Sequence, residues 1–208
     1  MAAGVCAHAD DAPPPNVGGA GGPEIVAARE LFRQGNEDVD AGRYAAGLEK
    51  FRRVAAVKET ANVRFNIARC EESLSKTGAA LADFETAERE ANADPGAKVG
   101  DAIAKLARDR ADALRPRVPR LGVVAPTPAP SGLAVTLDGS KLALTTLGVP
   151  LPVDPGAHVI DATAPGREPF HAAVTLAESE SKTVSITMTT GAALPLTTSP
   201  PAPHDARN

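Results

Sequence analysis

The chain has 208 residues, 26 acidic against 22 basic side chains for a formal net charge of −4, and six aromatic residues with no Trp. So small a charge excess argues against nucleic acid or another polyanion as partner, and no apolar run approaches the length that spans a membrane. Two cysteines far apart, Cys6 and Cys70, make neither a disulfide framework nor a metal site.

Proline and threonine divide the chain. Four prolines fall in residues 1–23, one (Pro95) in 24–115 and fourteen in 116–208, while threonine rises from three in the middle region to twelve after it. Proline breaks helix interiors and threonine favours strands. The expected organisation is a disordered tether (1–23), a helical domain (24–115), a separate all-β domain (116–190) and a disordered Pro/Thr-rich tail (191–208). In the tether, Ala7-His8-Ala9 before Asp10 has the small-x-small form of an export cleavage site, but "MAAGVC" is too short for a basic and an apolar region upstream. The true start is therefore expected to lie upstream or to have been trimmed.

Apolar stripes at helical spacing mark the middle region. Segment 26–41 carries Val26, Leu31, Phe32 and Val39 and closes on Gly42; segment 44–58 carries Tyr44, Leu48, Phe51 and Val54. Val63, Ile67, Cys70 and Leu74 line 61–76, and Ala80, Phe84, Ala87 and Ala91 line 79–91. A fifth helix, 94–114, starts with Asp94 as N-cap and Pro95 in its first turn, and its expected buried face is Val99, Ile103, Leu106 and Leu114. An offset of 33 residues superposes the second helix pair on the first: Ala28 on Ala61, Gly35 on Ala68, Gly47 on Ala80, Leu48 on Leu81 and Phe51 on Phe84.

Short strands are expected at 133–137, 149–153, 157–163, 170–176 and 182–189, beyond a "LGVV" strand and the spacer "APTPAP" at 125–130. Their joints are Asp138-Gly139, Asp154-Pro155-Gly156, Pro165-Gly166 and the polar residues 177–181. Five to seven such strands make a small sandwich. Either the spacer or residues 115–120 would be the hinge between the halves.

The small-residue pattern of the helix pairs resembles the tetratricopeptide repeat over about 66 residues, without its common Trp or closing Pro and one residue short of its 34-residue period. The run "PSGLAVTLDG" (130–139) followed by "VPLPVDPGAHVIDATAPGREPF" (149–170) resembles the PEGA domain, a small bacterial β-sandwich module, with Gly132 and Ala134 interrupting its name motif. The first resemblance implies a concave groove lined by the first helix of each pair, which by position brings Arg29, Phe32, Asn36, Asn62, Phe65, Asn66 and Arg69 to a peptide. Asn36 and Asn66 match two amides of the carboxylate-holding version, whereas Phe32 replaces its lysine and no third repeat supplies the other cations.

No nucleophile elbow, His-Glu-x-x-His or Cys-x-x-Cys is present, so no catalytic residue, metal ligand or cofactor is assigned. His158, His171 and Asp161 form the one cluster of metal-ligating type that strand pairing would bring together, with exposed strand histidines as the default. Cys70 on its apolar stripe reads as a buried inert thiol, and Arg108, Arg110, Arg115, Arg117 and Arg120 as a solvated helix end. The expectation is a non-enzymatic scaffold of the bacterial cell envelope, exported to the periplasm or envelope, with a cytoplasmic location as the alternative because no complete signal peptide is present. Its groove would dock a peptide or protein segment, and its β domain would be a spacer or an attachment to cell-wall glycan. The competing reading is a glycan-binding accessory module, weakened by a β half that offers Phe170 but neither Tyr nor Trp for stacking.

Overall fold

The computed structural model describes residues 22–93 and 98–190; the export site, most of the tether, the tail, and the Asp94 and Pro95 helix start lie outside them. Five packed helices come first: α1 (Pro23–Asp40), α2 (Tyr44–Val57), α3 (Ala61–Ser73), α4 (Thr77–Asn92) and α5 (Lys98–Leu114). Gly42, at φ +74°, ends α1 by turning its own N–H onto the Val39 carbonyl and the Arg43 N–H onto that of Asp38. α3 ends three residues before the expected position, in the same motif 33 residues on. There Ser75 takes φ +60°, its N–H donates to Glu72 O, and the Lys76 N–H donates to Glu71 O.

The repeat extends to side-chain packing. Phe51 and Phe84 are wholly buried, and each meets a second ring edge-on or tilted: Phe32 and Phe51 have centroids 5.4 Å apart at 62°, Phe65 and Phe84 5.5 Å apart at 60°. Gly35 is small because a Cβ there would stand 2.8 Å from the Phe51 ring. The first core holds Ala28, Val39, Leu48, Phe51, Ile67 and Cys70. The second packs Phe65, Leu81 and Phe84 against α5 and Val118.

α5 buries Leu114 and packs Ile103 against the core as expected, but not Leu106. Leu106 is 48 % exposed, and burial falls on Ala104, Ala107, Ala111 and Leu114, with Ile103 at the margin. Alanine methyls let α5 pack against α4, so small residues share the buried face with Leu114 and Ile103.

The β region has two sheets. One is ordered β4-β1-β7, from β4 (Leu151–Pro152), β1 (Arg120–Val124) and β7 (Ser181–Ser185), with β1 and β7 parallel. The other is ordered β3-β2-β5-β6, from β3 (Ser140–Leu142), β2 (Ala134–Leu137), β5 (Gly156–Thr163) and β6 (Phe170–Leu176), all antiparallel. Leu121, Val123, Val135, Ile160, Leu176 and Ile186 fill the core between them. The last strand stops at Ser185, short of the expected 189, because β1 ends before Pro126. Only Leu151 and Pro152 pair of the expected 149–153 strand, since Pro150 and Pro152 bring no N–H to the ladder.

The two regions are joined tightly. α4 has no cap of its own; the carboxylate of Asp154, from the β4–β5 turn, accepts the Gly78 N–H at 2.8 Å and the Ala79 N–H at 3.0 Å. A Cβ on Gly78 would lie 2.5 Å from the Val153 carbonyl carbon. Val118 is buried in the helical core, the Pro119 carbonyl accepts the Val153 N–H, and the Arg117 carbonyl accepts the Ser179 N–H. Residues 117–119 are thus held from both sides, and the spacer 125–130 lies inside the β region between β1 and β2.

Candidate functional site

Ile25, Ala28, Arg29 and Phe32 recur at helical spacing on α1 and form one wall of a groove of about 430 Å³. Val54 and Lys58, at the end of α2, and Thr60, Asn62 and Val63, at the start of α3, complete it. Thr60 caps α3, its hydroxyl accepting the Val63 N–H at 3.3 Å. The groove therefore has an apolar floor, two cations and no carboxylate in its lining.

Of the residues assigned to a concave face by resemblance, Arg29, Phe32 and Asn62 line this groove. Phe32 also closes the first aromatic pair. Asn36 is half-buried beside it on α1. Phe65 and Asn66 are buried: Phe65 belongs to the second core, and the Asn66 amide donates to the Asn62 carbonyl at 2.9 Å while its oxygen accepts from Arg69. Arg69 faces a second, polar pocket with Tyr44, Glu72, Arg110 and Arg117. There Arg110 and Arg117 both approach Glu72, and Arg117 is held by Glu178 at 2.9 Å. Arg108 and Arg115 likewise pair with Glu88 and Glu85 of α4, so these arginines stitch α5 and the chain after it to their neighbours.

The two strand histidines lie on opposite faces of their sheet. His171 Nδ1 meets Asp161 at 2.7 Å on the exposed face, where strand register sets Lys141, Thr136, Asp161 and His171 in one row. His158 is buried; its Nδ1 meets the Asp138 carboxylate at 2.7 Å and its Nε2 the Asp154 carbonyl at 2.7 Å. Burial of the ring opposes the imidazolium, but Asp138 and the Asp154 carbonyl outweigh it and raise the His158 pKa. Among the described residues no three His, Cys, Asp or Glu side chains gather as a metal set. Burial pushes the Cys70 thiol up to about 11, so it stays protonated at neutral pH.

Two acids at equivalent places in the repeats differ sharply. Asp38 is held by Lys50 and Arg43, which keep its carboxyl below the usual range. Glu71, 33 residues on, is 3 % exposed and has one partner, Arg52, at 2.8 Å; its second oxygen has none. Asp83 stands where Lys50 stood. Burial first, and Asp83 second, raise the Glu71 pKa to about 7.

Asp138 and Asp154 read in the sequence only as turn residues; Asp154 also caps α4 and so anchors the joint, whereas Asp138 holds His158 and the Val159 N–H within the β region. Gly78, a glycine inside a helical pattern, was the signal for close backbone approach. No protein-family model and no curated protein matches this sequence.

Proposed function

We propose that the chain is a non-enzymatic interaction protein of the bacterial cell envelope, built from two tetratricopeptide-like repeats and a PEGA-like β region. The groove of the first repeat docks a segment of another protein, and the β region is the spacer or attachment module that holds this groove at a set position. The observation that carries the reading is an apolar groove, uncovered among the described residues, on one of two like-built repeats, the other being sealed by α5 and the β region. The tight joint through Asp154 and Gly78 supports a β region that orients the groove. The outer face of the four-stranded sheet, with His171 and Asp161 but no Tyr or Trp, gives glycan stacking little to work with.

Photo-crosslinking from the full chain tests this in fractionated envelope. A crosslinker at Lys58 is expected to trap protein, and one at Thr175 on the sheet is not. Peptidoglycan sedimentation is run in parallel. Pelleting with glycan, with no protein trapped at Lys58, would replace the scaffold reading by the glycan-module one.

A further inference from the structure

We infer that the groove takes a segment of another protein that presents two or three apolar side chains flanked by Asp or Glu. This inference rests on the docking reading above and adds the chemistry of what docks. Ile25, Phe32, Val54 and Val63 supply the apolar floor, and Arg29 and Lys58 stand over it. In a chain of net charge −4, a lining with two cations and no acid is a local reversal of sign.

The acids nearest in sequence are drawn away from both cations. Glu30, next to Arg29, is taken by Arg33, with contacts at 3.0 and 2.6 Å. Glu59, next to Lys58, pairs with Arg64. Arg43, before α2, and Lys50 and Arg52 within it are also held by carboxylates, whereas Arg53 of α2, which does not line the groove, has no ion pair among the described residues. Among the described residues Arg29 and Lys58 form no ion pair, so an incoming acid meets two cations with no internal pair to break. Val26, one helical turn before Arg29, and Val57, next to Lys58, add exposed apolar surface near the two cations, at 57 % and 42 % exposed. A basic segment would place like charges against Arg29 and Lys58, and because both cations are exposed, salt should weaken the attraction of an acidic segment.

The test pans a display library of random 12-residue segments against the full chain and against the Arg29→Glu/Lys58→Glu double variant. An enriched segment is then synthesised and titrated by fluorescence anisotropy at low and high salt, with its footprint mapped by amide chemical-shift changes. Expected are Asp or Glu beside apolar residues in the enriched set, at least tenfold weaker binding to the double variant, and weaker binding at high salt. Circular dichroism checks that the double variant is folded; if it is not, the salt series on the unmodified chain decides.

Segments that map to the groove but carry no acidic bias, or bind independently of salt, overturn the charge inference and leave the docking reading standing. Footprints away from α1 and the start of α3, or no enrichment at all, overturn both. A concentration-dependent dimer abolished by the double variant would make a second copy of the chain the occupant, and the proposed partner would be wrong.

Discussion

The two helical repeats share a backbone motif, an aromatic pair and a buried acid, yet they are finished differently. In the second, Phe65 and Phe84 lie under α5 and Val118, Thr77 is wholly buried, and Gly78 abuts Val153. In the first, the equivalent Phe32 is half-buried at the groove; Tyr44, matching Thr77, is half-buried against the first core, and Ala45, matching Gly78, is exposed. A two-repeat stack cannot bury both of its ends. Later elements close one end, and among the described residues nothing covers the apolar groove at the other. The second repeat is thus packed on both sides, and the proposed docking groove lies on the first.

The largest effect expected comes from the aromatic pairs. Phe84→Ala and Phe51→Ala each remove a wholly buried ring and should each cost about 3–5 kcal/mol, but in different places. Phe84→Ala should lower the single urea midpoint of the whole chain, because its core includes α5 and the segment that enters the β region. Phe51→Ala should first raise hydrogen exchange in α1 and α2. Uniform exchange across all five helices in Phe51→Ala would show that the repeats are one cooperative unit.

The acids sharpen the comparison through pH. Glu71, with its pKa raised to about 7, binds a proton in the folded chain that the unfolded chain releases above about 4.5. The folded state therefore gains least from Glu71 once it is ionised. Stability should be greatest below that value and fall as pH rises to about 7, by up to about 3 kcal/mol. Glu71→Gln should flatten this slope and raise the melting temperature at pH 8. Asp83→Lys, which copies Lys50 of the first repeat, should reverse the Glu71 shift. A further loss of stability with rising pH is expected from His158, whose raised pKa gives a contribution fully present below about 6.5; His158→Gln isolates it. An unchanged pH profile in Glu71→Gln would show that Arg52 compensates the buried charge.

The joint comes next in size. Gly78→Ala brings a methyl onto Val153 backbone and should cost about 1–3 kcal/mol, whereas Ala45→Gly at the equivalent exposed place should cost about 1 kcal/mol or less from helix propensity alone. Equal losses in thermal melts would mean that the regions separate to admit the methyl.

Much of this architecture is legible in the residues. The proline and threonine boundaries located the change from helix to strand, and the 33-residue offset found both Phe51 and Phe84. Asp138-Gly139, both at positive φ, joins β2 to β3 as expected of a hairpin turn. What was hidden depends on contacts distant in sequence. Nothing local distinguishes Asp154 as a cap for a helix 76 residues earlier, or tells that α5 packs through alanines. Asn66 resembled a ligand-binding amide by position, but its side chain is spent within α3. Asn66→Ala should therefore destabilise the chain, where an exposed groove amide would not.

The smallest effect expected tests whether the repeats are equivalent down to their turns. Gly42 and Ser75 hold the same left-handed position and make the same pair of backbone hydrogen bonds. Glycine reaches this conformation freely, whereas serine pays a steric cost of about 1 kcal/mol that is only partly offset by the lower entropy of its unfolded state. Ser75→Gly should therefore stabilise the chain by about 0.5–1 kcal/mol. The reverse change, Gly42→Ser, should destabilise it by a similar amount, both read as shifts in urea midpoint at constant slope. A loss of stability in Ser75→Gly would mean that the serine side chain contributes something at this turn that Gly42 does without, and the second repeat would then be shaped by more than the steric demand both turns share.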